Sequence, residues 1–283
     1  MSLRIIQGVP MERKPADWYN VKAVDLGNGH FEAVVSRGWT MEERDMSPLA
    51  ISMYREHMEE LMQDPKYLAE RAEINAERAG KRAKQRVRHL CKAMGADTLL
   101  TLTYKSNQTD LALCKVHLKE FIRRLKRVIP NFRAVAAFEQ QKRGAWHVHI
   151  ACERLASAIH NGAGHKVKSF DLVRSVWRSV TKDHGGNIDV QSRKRNSQRS
   201  AARIASYLSK YITKSFEDGV KHSNRYSKFG DFDAPKAVKL GHMLDLRESI
   251  ELVYSLVDDS REIVSTYLSR FKDVFFFVAG PPC

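Results

Sequence analysis

The spacing of apolar positions changes several times along the chain, and each change marks an element. Up to about Asp45, apolar, polar and glycine positions mix without strong periodicity, so no element is assigned there. Helical signals then begin. Ser47-Pro48 pairs a capping residue with a proline at the first helical position, and Asp64-Pro65 repeats the pattern. The second of these helices is predicted over residues 66–94, with a densely basic later half (Lys81, Arg82, Lys84, Arg86, Arg88). That half reads either as a solvated face or as a surface for DNA phosphates. After Ala96 comes Thr98-Leu99-Leu100-Thr101-Leu102-Thr103-Tyr104, β-branched and partly alternating, a strand. Cys114, Leu118, Phe121, Ile122, Leu125, Val128 and Ile129 then recur at helical spacing, and Pro130 ends that helix. Strands over 133–139 and 145–152, a helix over 169–181, a short strand over 187–191 and a helix over 200–214 follow. A last helix is predicted near 246–271. Phe275-Phe276-Phe277-Val278 reads as a buried strand or an exposed tail end, far too short to cross a bilayer.

The order β-α-β-β-α-β-α fits an α+β fold: an antiparallel sheet with helices on one side, of the split-βαβ or ferredoxin-like kind. The chain then divides into a helical N-terminal extension (1–95), a core (96–215) and a helical, basic C-terminal extension (216–283).

Charge narrows the partners. Among 283 residues, 48 Lys and Arg outweigh 33 Asp and Glu, a formal charge of +15, which favours a polyanion such as a phosphate backbone. Cys91, Cys114, Cys152 and Cys283 are scattered without a CxxC, so neither a disulfide framework nor a zinc finger is expected. They read as thiols of a reducing compartment. Without an apolar leader or a spanning run, a cytoplasmic location is expected, with no membrane partner.

Candidate chemistry centres on Ala145-Trp146-His147-Val148-His149-Ile150-Ala151. Two imidazoles one residue apart share a face of a strand, because strand side chains alternate. Lys142-Arg143-Gly144 suits a three-residue hairpin loop with Gly144 in the left-handed region. That loop pairs Gln141 with Ala145 and hence Glu139 with His147, so Glu139, His147 and His149 converge on one face. One carboxylate and two imidazoles suit Mg²⁺ or Mn²⁺, and Zn²⁺ could use the same donors. Glu139 could instead pair with Lys142 or Arg143, and a one-residue slip would move it to the other face. The cation would act as a Lewis acid on a phosphate.

About sixty residues later, Tyr207-Leu208-Ser209-Lys210-Tyr211 places two phenols four apart, on one face of a helix. Lys210 and Lys214 each follow a tyrosine by three residues. A tyrosine that attacks phosphorus stores the phosphodiester's energy in a phosphotyrosine, so the strand can be resealed without ATP. Such a pair is also what an aromatic core stripe looks like. Arg193, Lys194, Arg195, Arg199 and Arg203 lead into this helix and read as a phosphate-binding run or a solvated loop.

Taken in order, these stretches resemble the HUH endonuclease superfamily, specifically rolling-circle replication initiators of single-stranded DNA phages and related plasmids. Thr101-Leu102-Thr103-Tyr104 is similar to the family's first motif, Trp146-His147-Val148-His149 to its metal motif, and Tyr207 to Tyr211 to the two-tyrosine form seen in microvirus gene A proteins. The resemblance covers about 96–214 and implies a five-stranded antiparallel sheet, dependence on Mg²⁺ or Mn²⁺, and origin nicking through a 5′-phosphotyrosyl link. It implies catalytic Tyr207 and Tyr211, and metal ligands His147 and His149 with Glu139 as the variable third; Lys210 and Lys214, from their spacing, are expected to help neutralise charge at the phosphate. With no GxxxxGK[ST] in the chain, a host helicase is the implied partner, alongside single-stranded or supercoiled origin DNA. The alternatives are a two-tyrosine transposase or relaxase, a non-catalytic DNA-binding regulator, and a structural RNA-binding protein.

Overall fold

The computed structural model describes residues 3–192, 200–217 and 226–282. Along the chain run β1 (Leu3–Ile6), β2 (Val9–Gly27), β3 (His30–Glu43), α1 (Pro48–Gln63), α2 (Pro65–Met94), β4 (Thr98–Tyr104), α3 (Leu111–Leu125), β5 (Ala134–Gln140) and β6 (Trp146–Cys152). They are followed by β7 (Ala158–His160), β8 (Lys166–Lys168), α4 (Ser169–Thr181), a 3-10 turn (Lys182–His184), β9 (Gly186–Ser192), α5 (Ser200–Glu217), β10 (Tyr226–Phe229), β11 (Val238–Met243), α6 (Leu246–Ser255), β12 (Glu262–Leu268) and β13 (Val274–Gly280). The chain divides into two compact units, one of residues 26–28, 78–235 and 281–283, the other of residues 1–25, 29–77 and 236–280.

The first unit is built on a five-stranded antiparallel sheet in the order β10-β5-β6-β4-β9. Alternation sends Leu100, Leu102, Ala134, Ala136, Phe138, Val148 and Ile150 to one face, where they form a core with Leu118, Phe121 and Leu125 of α3 and Val173 and Trp177 of α4. Asp110 caps α3 by accepting from the backbone N–H groups of Ala112 and Leu113, and the Trp177 indole donates to the Thr103 carbonyl at 2.9 Å.

Helices were expected on one side of this sheet only. The opposite face is covered as well: Leu99, Val135, Ala137 and Ala151 pack against Val87, Leu90, Cys91 and Met94 of α2 and Ile204, Ala205, Leu208 and Ile212 of α5. The run Ala134-Val135-Ala136-Ala137-Phe138 is buried throughout, as a strand sandwiched between two layers must be. Burial pushes the Cys91 thiol up to about 12 and the Cys114 thiol up to about 11, so both are packing residues.

The second unit corrects the picture of helical extensions. Its sheet runs β1-β2-β3-β13-β12, with β11 on β2, and buries Val21, Phe31, Val35, Phe275 and Phe277 with Val253 of α6. The turns of the first forty residues are written as Gln7-Gly8 and Gly27-Asn28-Gly29, all at positive φ. Near the C-terminus, the expected helix stops at Ser255 and the chain returns as β12, whose Ile263, Val264, Thr266 and Tyr267 are strand formers. Phe275, Phe276 and Phe277 belong to β13, paired with both β3 and β12. Among the described residues, no helix is long and apolar enough to cross a membrane.

Candidate functional site

The hairpin between β5 and β6 sets the geometry. Gln141 donates its backbone N–H to the Ala145 carbonyl at 2.8 Å, Gly144 donates to the Gln141 carbonyl at 2.8 Å, and Gly144 holds φ at 86°. Only glycine takes that conformation without steric cost. The register follows: Glu139 stands opposite His147, and Ala137, His149, Thr101 and Asp189 form one row across β5, β6, β4 and β9. Beside the apolar residues under α2 and α5, this face thus carries Glu139, His147, His149, Thr101 and Asp189.

His149 is buried and both its ring nitrogens are engaged. Nε2 lies 2.9 Å from Glu139 Oε2, and Nδ1 lies 3.2 Å from Thr101 Oγ1. Burial lowers the pKa of His149, with Glu139 opposing. Burial also lowers that of His147, helped by His149 and Arg143 and opposed by Glu139. The neutral imidazoles favoured by these environments are the form that ligates metals. In the neutral ring, Nε2–H donates to Glu139 and the Thr101 hydroxyl donates to Nδ1. His147 Nδ1 lies 3.3 Å from Gln141 Nε2, and Arg143 Nε donates to Gln141 Oε1 at 3.1 Å.

Do these donors fit a cation? Among the described residues, no three His, Cys, Asp or Glu side chains stand close enough to hold a metal ion. The donor types suit a hard divalent ion, and the 2.9 Å between Glu139 Oε2 and His149 Nε2 is the spacing of adjacent ligands at right angles with bonds of about 2.1 Å. It is equally the spacing of a hydrogen bond. His147 is the donor not yet gathered in, its Nδ1 engaged with Gln141.

The tyrosines come to His149 from α5. Ile204, Ala205, Leu208 and Ile212 anchor the helix through its apolar stripe, which leaves Tyr207 and Tyr211 on its flank. Tyr211 stacks on His149 with ring centroids 4.0 Å apart and planes 6° from parallel. Tyr207 meets the same imidazole edge-on at 6.1 Å and Tyr211 at 5.2 Å. Burial raises the pKa of Tyr211, as do the Tyr207 hydroxyl and the Glu139 carboxylate. Tyr207 is the more open of the two.

The other expected site residues lie further out. Lys210 and Arg203 are exposed on α5. Arg193, Lys194, Arg195, Arg199 and the side chain of Lys214 lie outside the described residues. On α2, Lys81, Arg82 and Lys84 are exposed, while Arg86 pairs with Asp233 and donates to the Ala234 carbonyl at 3.2 Å. Gln141 enters as a histidine partner that the sequence motifs do not include, and Thr101, inside the first motif, takes a contact with His149 that the motif alone did not assign. The signal for Thr101 is its place on the same face of β4 as Leu99 and Thr103, directly opposite His149. A cleft of about 420 Å³ beside Glu139 is lined also by Gln141, Lys142 and Arg143.

A carboxylate, two imidazoles and two phenols on one basic domain form a site suited to phosphoryl transfer. Residues 97–216 match the model of a family described as replication-associated protein, which supports a part in replication. No curated protein and no solved structure matches the chain.

Proposed function

We propose that the chain is a rolling-circle replication initiator that nicks one DNA strand at an origin and later rejoins it, a site-specific single-strand endonuclease and ligase. The observation that supports this most is the packing of both Tyr207 and Tyr211 on His149, the imidazole that is itself paired with Glu139. A core stripe would bury both phenols in apolar surroundings, whereas Tyr207 is exposed and Tyr211, which packs against the apolar cluster on one side, stacks on a titratable ring on the other.

The chemistry balances as two transesterifications. A phenolic oxygen of Tyr207 or Tyr211 forms a bond to the scissile phosphorus, the bond from phosphorus to the 3′ oxygen breaks, and that oxygen leaves as a 3′ hydroxyl. The proton lost by the phenol goes to solvent and the leaving oxygen takes one up. In the reverse step a 3′ hydroxyl attacks the phosphotyrosine and restores the phenol. Mg²⁺ or Mn²⁺ bound by Glu139, His147 and His149 would draw charge from the phosphate. Thr101 and Glu139 hold the His149 ring in place, and α5 brings the second phenol within reach of the first. Lys210 and Lys214 would lower the cost of charge at the phosphate, and Arg193, Lys194, Arg195, Arg199 and Arg203 would hold the flanking backbone. The partners are origin DNA, single-stranded or supercoiled, and a host helicase.

The test is direct. With origin DNA, the wild type forms a covalent adduct on a denaturing gel, and the Tyr207→Phe, Tyr211→Phe double variant forms none. EDTA stops nicking. Adduct that persists in the double variant removes these tyrosines from the reaction, and full nicking in EDTA rejects the metal. A DNA-binding regulator would bind in a salt-sensitive way and cut nothing.

A further inference from the structure

A second hollow, of about 190 Å³, opens beside Tyr207, lined by Leu99, Gln191, Ser192, Ile204 and Tyr207. We infer that it receives one unpaired nucleobase of the strand being cut, and that Gln191 makes it prefer a base bearing an exocyclic amino group. This rests on the reading of the site as one that acts on single-stranded DNA, and it adds a specificity residue to it.

The walls set the class of ligand. Leu99 and Ile204 offer apolar surface and Tyr207 an aromatic ring, the combination on which unpaired bases are held. Two polar residues line the edge. Ser192 Oγ is 3.1 Å from Thr98 Oγ1, so the two hydroxyls share a hydrogen bond. Gln191 is different. Its Nε2 donates to Asp189 Oδ2 at 2.9 Å, which fixes the amide and leaves Oε1 to accept. The Asp189 carboxylate makes that edge more negative still. An amino group is attracted there and a ring carbonyl is repelled. Cytosine and thymine have the same ring and differ at position 4 in that sense, amino against carbonyl.

Short single strands of dC and dT serve as probes, with affinity read by fluorescence anisotropy. The wild type binds the dC strand about 2- to 10-fold tighter than the dT strand, the worth of one net hydrogen bond. Gln191→Ala brings that ratio close to one, by weakening dC binding and, with the repulsion of the carbonyl relieved, slightly tightening dT binding. Asp189→Asn, which keeps the shape and removes the charge, lowers the ratio part of the way. Both positions are exposed on β9, so the variants keep their fold. A ratio unchanged in Gln191→Ala, or no preference in the wild type, overturns the inference while leaving the nicking reading intact. If the wild type binds neither strand, the single-strand reading itself falls and the inference with it.

Discussion

Neutral His149 has one N–H and two partners, so its tautomer is set by which partner accepts. Glu139 Oε2 takes the Nε2 proton, and Thr101 Oγ1 completes Nδ1. Because a hydroxyl can donate or accept, Thr101 supports the ring in the opposite tautomer too, with Nε2 free to ligate. Thr101→Val removes that support, and the affinity for Mn²⁺, measured by calorimetry, should fall about 10-fold, with Thr101→Ser restoring it. An unchanged affinity would show that the hydroxyl does not orient the ring. A second prediction concerns His117, half-buried beside His184, Trp177 and Tyr104, whose hydroxyl lies 3.2 Å from its Nδ1. Burial, and then His184, lower its pKa from 6.5. Between that lowered value and 6.5 the unfolded chain holds the more protons, so stability rises with pH across this window and is lost on acidification. Urea midpoints at about pH 7.5 and about pH 5.5 should differ in that sense, and less in His117→Gln. An equal difference in the variant would place the acid lability elsewhere.

At the scale of elements, the site depends on a hairpin and a helix. Gly144 sits at φ 86°, and Gly144→Ala should cost about 1–2 kcal/mol in chemical denaturation and reduce nicking with it, because the hairpin register carries Glu139 to His147. Leu208 is fully buried under α5, and Leu208→Ala should cost about 2–5 kcal/mol while freeing both tyrosines from the histidine. A variant as stable as wild type would mean that the helix is held in another way. The same elements explain what the sequence could tell. The strand of Thr98 to Tyr104, the Gly144 loop and the helix after Ser169 were legible because turn residues and apolar period point the same way in each. The second helical layer was not, since its contacts join Val87 and Leu90 to Ile204 and Leu208, more than a hundred residues apart. The long strands β2 and β3 escaped because partly buried positions blur their alternation. β12 escaped because all its residues are exposed, so neither face is marked by burial. Of the candidate site, the histidine pair, its carboxylate and the tyrosines were legible as types and spacings. Their meeting at one imidazole was not, because it depends on how α5 crosses the sheet.

For the whole molecule, the excess of 48 basic over 33 acidic residues is the long-range term. It would draw a polyanion to the surface without selecting a sequence. Affinity for single-stranded DNA should fall steeply with salt, by about 0.7 in the logarithm per phosphate contacted for each tenfold rise in concentration. Charge reversal of exposed Arg203 and Lys210 should flatten that slope. A slope insensitive to both would move the strand's path away from α5.

On the proposed mechanism, one of the two phenols beside His149 becomes joined to DNA. The most direct measurement is to incubate the protein and Mn²⁺ with origin-bearing single-stranded and supercoiled DNA, digest the product, and map the peptide–nucleotide linkage by mass spectrometry. The linkage is expected on Tyr207 or Tyr211 as a 5′-phosphotyrosine. A linkage on any other residue, or nicked DNA with no peptide attached, would contradict it.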